Sequence, residues 1–250
     1  MFIVLIRRIC LAVPFLRRFL GMPSELYLVR HAESARNVQL AGTLFVEVKA
    51  ESIVPDHKIA ITTKGEQQAH ITGKKFFDRF GSVPEVVIHS GYIRTFRTAL
   101  GMIRSFTNHT PSVLLLTDNS LRERESGYTY TMTESEVREH FPFLQPYWNT
   151  AKGLFSRPVG GESLIDVVEN RLRWVIQKTW RRYAGKRVCF VTHGRTIQCF
   201  RYILDDMSWE QMEDFIANPE NTPKNCGVTR YVYDPLLGKL VLNEYNVVIE

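Results

Sequence analysis

Cysteine is scarce in this chain: four residues in 250, none of them in a CxxC pair. That excludes a disulfide framework as the basis of the fold and gives no zinc-ligand spacing. Cys189 lies in an apolar strand pattern and Cys199 in a helical one, so both read as reduced thiols of a cytoplasmic protein. Long hydrophobic runs are also missing. The stretches Phe2–Ile6 and Ile9–Leu16 are split by Arg7-Arg8 and closed by Arg17-Arg18, and neither approaches the ~20 residues of a membrane span. No repeat, low-complexity tract or linker divides the chain, so a single domain is expected. Acidic residues are absent from the first 21 positions, which hold four arginines; without those the net charge of +6 falls to +2. A body this near neutrality, with no basic stripe, excludes nucleic acid as an expected partner.

Residues 1–21 thus read as a basic, apolar extension of a domain covering residues 22–250. The extension has neither the basic n-region nor the small-x-small site of a secretory signal. Two readings of it stay open. It is a basic amphipathic helix lying on an anionic membrane surface, the only route by which a membrane enters as a partner, or translation begins at Met22, whose Met22-Pro23-Ser24-Glu25 leads straight into a strand.

What is present alternates. Apolar runs at Glu25–Arg30, Val86–Ser90, Val113–Leu116 and Arg187–Val191 predict strands. Between and after them, periodic segments predict helices over Thr63–Phe80 (capped by Thr63), Tyr92–Phe106, Glu134–Phe141, Ser163–Tyr183, Arg195–Leu204 and Met207–Phe215. Ser163 and Asp166 have capping-box spacing. Val38–Asp56 reads as a long surface excursion, and Pro142, Pro146 and Pro158 predict irregular chain as far as Gly161. Val228–Tyr233 and Lys239–Tyr245 form a closing hairpin. The fold class expected is α/β: a three-layer α/β/α sandwich with a mostly parallel central sheet and an antiparallel edge hairpin.

Two of the strands end in histidine. Leu26-Tyr27-Leu28-Val29 delivers Arg30-His31, and Val188-Cys189-Phe190-Val191-Thr192 delivers His193. The C-terminal edge of a parallel sheet is where open α/β folds place chemistry. A histidine beside an arginine there suits nucleophilic attack on a phosphoryl group already held by positive charge. His57, His70, His109 and His140 fit no converging pattern.

Arg30-His31-Ala32-Glu33-Ser34 with Asn37 resembles the Arg-His-Gly-Glu-Ser/Thr…Asn motif of the histidine phosphatase superfamily, the phosphoglycerate-mutase-like proteins, and specifically its small single-domain branch 1 members. Further matches follow in that family's order: Asp56…Thr62…Gly65…Gln68-Ala69, His89-Ser90…Arg94-Thr95…Thr98-Ala99, Leu121-Arg122-Glu123…Gly127, Gly161-Glu162-Ser163 and Thr192-His193-Gly194. The resemblance spans Leu26 to Val228. It implies that His31 is the nucleophile and Arg30, Arg94 and His193 the groups around the phosphate. It also implies that Ser34 and Asn37 bind substrate, and that Glu123 is the general acid, with Glu125 two residues on as the alternative. No metal and no cofactor are implied, and the expected partner is a small phosphorylated substrate; monomer and dimer both stay open. Ala32 replaces the family's usual glycine, and His89-Ser90-Gly91-Tyr92 its Ser-Ser-Pro-Leu, which puts a titratable ring and an aromatic near the expected phosphate pocket.

Only 38 positions separate Glu123 from Gly161, where mutases carry a longer closing segment. That stretch is aromatic (Tyr128, Tyr130, Phe141, Phe143, Tyr147, Trp148, Phe155) with little basic charge. The resemblance therefore implies phosphomonoester hydrolysis of a small metabolite through a phosphohistidine. The alternatives are a mutase-type phosphotransferase and a silent phospholigand-binding protein.

Overall fold

In the computed structural model, which describes residues 2–12, 21–41, 54–106 and 112–250, six strands form one sheet. They are β1 (Glu25–Arg30), β2 (Val86–His89), β3 (Leu114–Thr117), β4 (Arg187–Thr192), β5 (Val228–Asp234) and β6 (Lys239–Val247), in spatial order β3-β2-β4-β1-β5-β6. The β1, β2, β3 and β4 pairings are parallel, while β5 runs antiparallel to β1 and to β6. This is the mostly parallel sheet with an antiparallel edge that the pattern predicts.

Burial on both faces explains the unbroken apolar runs. Leu26, Leu28, Val188 and Phe190 point into one core with Leu172, Ile197 and Phe200, whereas Tyr27, Val29, Cys189 and Val191 point into the other with Phe76, Ala99 and Met102. The second layer is made by α3 (Thr63–Phe80) and α4 (Ile93–Ser105). These two cross closely at Gly73, where a Cβ would stand 2.3 Å from the carbonyl oxygen of Met102. The first is covered by α9 (Gly194–Leu204), α10 (Trp209–Ala217) and a long helix built as α7 (Leu164–Val167), a π-helical turn (Val168–Leu172) and α8 (Arg173–Arg182). The Ser163–Asp166 capping box opens that helix as the spacing predicts.

Several boundaries differ from the sequence reading. Thr62, not Thr63, caps α3: it is the extended residue, and its Oγ1 accepts from Gly65 N at 3.0 Å. A helix, α2 (Ala35–Ala41), occupies the start of the expected excursion, of which residues 42–53 lie outside the described residues. The chain expected to be irregular after α5 (Glu134–His140) carries α6 (Leu144–Phe155). Pro146 falls in its first turn, where no intrahelical N–H is needed.

Nor is the N-terminal helix α1 (Phe2–Ala12) detached from the domain. Cys10 is buried in the larger core, Leu11 packs on it, and the Arg7 guanidinium lies against Gly238 in the β5–β6 turn. Ile3, Leu5, Ile6 and Ile9 are exposed.

Candidate active site

The sheet register assembles the site. Arg30 pairs with Thr192 across β1 and β4, so the residues that follow, His31 and His193, come off adjacent strands together. Their rings lie 5.3 Å apart, edge to face, and both are buried. His31 Nδ1 donates to the carbonyl oxygen of Ala32 at 2.8 Å. That bond fixes the tautomer and leaves Nε2 with its lone pair.

His193 is held by a relay whose protons can be counted. Thr95 Oγ1 donates to the Tyr92 carbonyl at 2.8 Å, so it accepts from Ser90 Oγ at 2.9 Å; Ser90 Oγ then accepts from His193 Nε2 at 2.8 Å. His193 Nδ1 is left buried without a partner among the described residues, and so is Arg30 Nε. Burial holds both histidines well below the usual imidazole range, and the charges of Arg94 and Arg30 push them further down. Two neutral imidazoles and an unspent buried guanidinium N–H make a site short of an anion.

His31, Arg30, Ser34, Asn37, Arg94 and Glu123 line one cavity of about 500 Å³. Arg94 is buried, in the first turn of α4, and its Nη1 and Nη2 each reach a carboxylate oxygen of Asp56 at 3.0 Å. Asp56 therefore holds the guanidinium in place, and the Tyr130 hydroxyl donates to the same carboxylate at 3.1 Å. Asn37 Oδ1 accepts from Ser34 N, from Ser34 Oγ and from Asn225 Nδ2. Ser34 thus spends its hydroxyl on orienting Asn37. His89 departs from expectation: Gly91 N donates to its Nδ1 and its Nε2 meets Thr117 Oγ1, so its ring is spent between β2 and β3. His57 is exposed, as a surface residue, and also lines the cavity, whereas His109 lies outside the described residues.

The family model for the histidine phosphatase superfamily (branch 1) matches residues 26–246. The chain belongs to that superfamily. This histidine phosphatase is 28% identical over 189 residues to the 2,3-bisphosphoglycerate-dependent phosphoglycerate mutase 2 of Gloeobacter violaceus, covering 75% of the chain and 78% of that protein. It is 27% identical to a phosphoglycerate mutase-like protein of Arabidopsis thaliana, covering 80% of the chain and 63% of the relative. Among solved structures, YhfR of Bacillus stearothermophilus superposes with a TM-score of 0.68 at 22% identity, covering 90% of this chain and 99% of that one. A mycobacterial glucosyl-3-phosphoglycerate phosphatase complexed with inorganic phosphate gives 0.67 at 17%, covering 90% and 98%. These likenesses show the same fold.

The acidic segment of this histidine phosphatase is anchored by backbone N–H groups and by a buried arginine beneath it. Glu123 Oε1 accepts from Arg124 N at 2.9 Å, and Oε2 from Arg195 N at 3.4 Å. Glu125 is half exposed and meets Arg122 and the Tyr92 hydroxyl, each at 3.4 Å. Beneath the segment, buried Arg171 donates to the carbonyls of Ser120 (2.8 Å) and Arg122 (3.0 Å) and forks onto Glu162 at 3.0 and 2.9 Å. Arg171 sits in the π-helical turn, a distortion frequent at functional sites. Neither Arg171 nor Asn225, which donates to the His31 carbonyl at 2.8 Å, carries a local sequence signal.

Proposed function

We propose that this histidine phosphatase hydrolyses small phosphomonoesters through a phosphohistidine at His31. The observation that carries the reading is the pair of strand-end histidines, one with a fixed Nε2 lone pair and the other with an unpartnered buried Nδ1, beside the unpartnered Nε of Arg30. The phosphate oxygens take the donors of Arg30, Arg94, Asn37 and a protonated His193. His31 Nε2 forms a bond to phosphorus as the ester P–O bond breaks, and Glu123 gives its proton to the departing oxygen. Water then attacks the phosphohistidine, Glu123 takes a proton from it, and the P–N electron pair returns to Nε2. Glu123 is preferred to Glu125 because two backbone N–H groups fix the position of its carboxyl group at the cavity wall, while Glu125 is half exposed and turned to Arg122 and Tyr92.

Among the described residues no helix is long and apolar enough to cross a membrane. The four cysteines are free and buried, which suits a reducing compartment and supports a cytoplasmic location. The test is hydrolysis of para-nitrophenyl phosphate with EDTA present, wild type beside His31→Ala. Turnover that survives chelation and is lost in the variant is expected. Folded wild type that turns over nothing without a phosphorylated primer would favour the mutase alternative, and none even with a primer would favour a silent phospholigand-binding protein.

A further inference from the structure

A second cavity of about 320 Å³ adjoins the first, and Arg124 lines both. Its other walls include Arg195, Trp148, Pro158, Leu164 and Ile216. The indole is fixed by Trp148 Nε1 donating to the Arg157 carbonyl at 3.3 Å, while Pro158 and Leu164 are buried. One end of the cavity is thus cationic and the rest apolar.

The position of Glu123 gives this space its meaning. The two backbone N–H groups that hold its carboxylate belong to Arg124 and Arg195, the same residues whose side chains line the second cavity. Glu123 itself lines the first cavity beside Arg124, the wall shared with the second, so an ester oxygen that takes its proton from Glu123 leaves on the side of that shared wall. Both side chains line this one cavity, and burial pulls the Arg124 pKa down, with Glu123 and Glu162 opposing the shift and Arg195 adding to it. Arg124 Nη1 donates to the Glu162 carbonyl at 3.2 Å and Arg195 Nη1 to the Gln198 amide oxygen at 2.9 Å, both neutral acceptors. Two adjacent cations bonded to neutral oxygens are matched by an anion with planar, forked acceptors.

Resting on the catalytic reading above, we propose that this cavity is the leaving-group subsite, and that it selects phosphomonoesters whose leaving group carries a carboxylate on an apolar or ring-bearing body. The phosphate is held at His31, the ester oxygen at Glu123, the apolar body against Trp148 and Leu164, and the carboxylate between Arg124 and Arg195.

Non-hydrolysable phosphonates test this without turnover. Binding of benzylphosphonate, 4-carboxybenzylphosphonate and 4-carbamoylbenzylphosphonate to the wild-type protein is measured by calorimetry. The carboxylate is expected to bind about tenfold tighter than the neutral carboxamide, the size of one charge-assisted hydrogen bond. Arg195→Met, at an exposed position, should abolish that preference, and Arg124→Met should do the same. Equal affinities for carboxylate and carboxamide, or a preference that survives both substitutions, would overturn the subsite. Failure of the catalytic reading shows separately, as wild type that hydrolyses neither phenyl phosphate nor para-nitrophenyl phosphate. A wild type that hydrolyses phenyl phosphate but ignores the carboxylate sinks the subsite alone.

Discussion

Replacing Arg171 by methionine should damage stability and turnover together while sparing phosphate binding. Arg171 is 5% exposed and keeps the length and packing of a methionine stem, so the loss is electrostatic. Removing one partner of a buried ion pair costs about 3–5 kcal/mol. Here Glu162 retains Arg122 Nη2 at 3.0 Å and Glu125 N at 3.1 Å, which places the pair term below that range. The pair then contributes about 1 kcal/mol, and the Ser120 and Arg122 carbonyls each lose a hydrogen bond worth roughly 1 kcal/mol. A total near 3 kcal/mol follows. With a denaturant slope of about 3 kcal/mol/M, the urea midpoint should fall by about 1 M.

The same bonds hold the segment that carries Glu123, and a displacement of about 1 Å in a catalytic group costs on the order of 100-fold in rate. Arg30, His31 and Arg94 are mounted on other elements, so inhibition by inorganic phosphate should keep its constant while kcat falls. Arg171→Lys should recover little, since a point charge cannot fork onto Glu162 and reach two carbonyls. If Arg171→Met does not fold, Glu162→Gln applies a milder form of the same break. A midpoint within about 0.2 M of wild type, or phosphate affinity that falls in step with kcat, would refute the reasoning.

Three further outcomes follow from the buried site. His31 and His193 stay neutral in the fold below the pH near 6.5 at which the unfolded chain protonates them, so the unfolded state binds more protons in acid. Stability is thus fully present above that pH and falls as pH drops through it, by up to about 1.4 kcal/mol per unit for each histidine; a urea midpoint that rose between about pH 7.5 and 5.5 would contradict this. Because the Ser90 relay commits His193 Nε2 to donating, phosphate binding needs a proton on Nδ1. Calorimetry of phosphate near pH 8 in buffers of different ionisation enthalpy should show uptake approaching one proton, and Ser90→Ala, which frees the tautomer, should remove it. Gly73→Ala drives a Cβ into the Met102 carbonyl and should lower the urea midpoint by the equivalent of about 1–3 kcal/mol, whereas an unchanged midpoint would mean that α3 and α4 separate freely.

The legible parts of the molecule were those encoded locally. β1 and β4 are continuous apolar runs because both their faces are covered, and that continuity pointed to His31 and His193 at one sheet edge. The Ser163–Asp166 box and the β5–β6 hairpin were readable for the same reason, since each is decided within a few residues. α6 was missed because Pro146 marks a break in the interior of a helix but not in its first turn. Thr62 and Thr63 are chemically equal as caps, and only the extended backbone of Thr62, whose hydroxyl donates to Glu33 Oε1 at 2.9 Å, decides between them. The support beneath the acid was invisible for another reason. Arg171 reaches carbonyls 49 and 51 positions away and Asn225 reaches one 194 away, distances at which no periodicity or spacing rule operates.

The central claim is a covalent intermediate on one nitrogen. The most direct measurement is rapid denaturing quench of the wild-type protein with a 32P-labelled phosphomonoester, followed by peptide mapping. The account predicts label on the peptide holding His31, stable to alkali and lost in acid as a phosphoramidate is, and absent from His31→Ala. Full turnover by a His31→Ala protein, or acid-stable label on a hydroxyl residue such as Ser34, would contradict it.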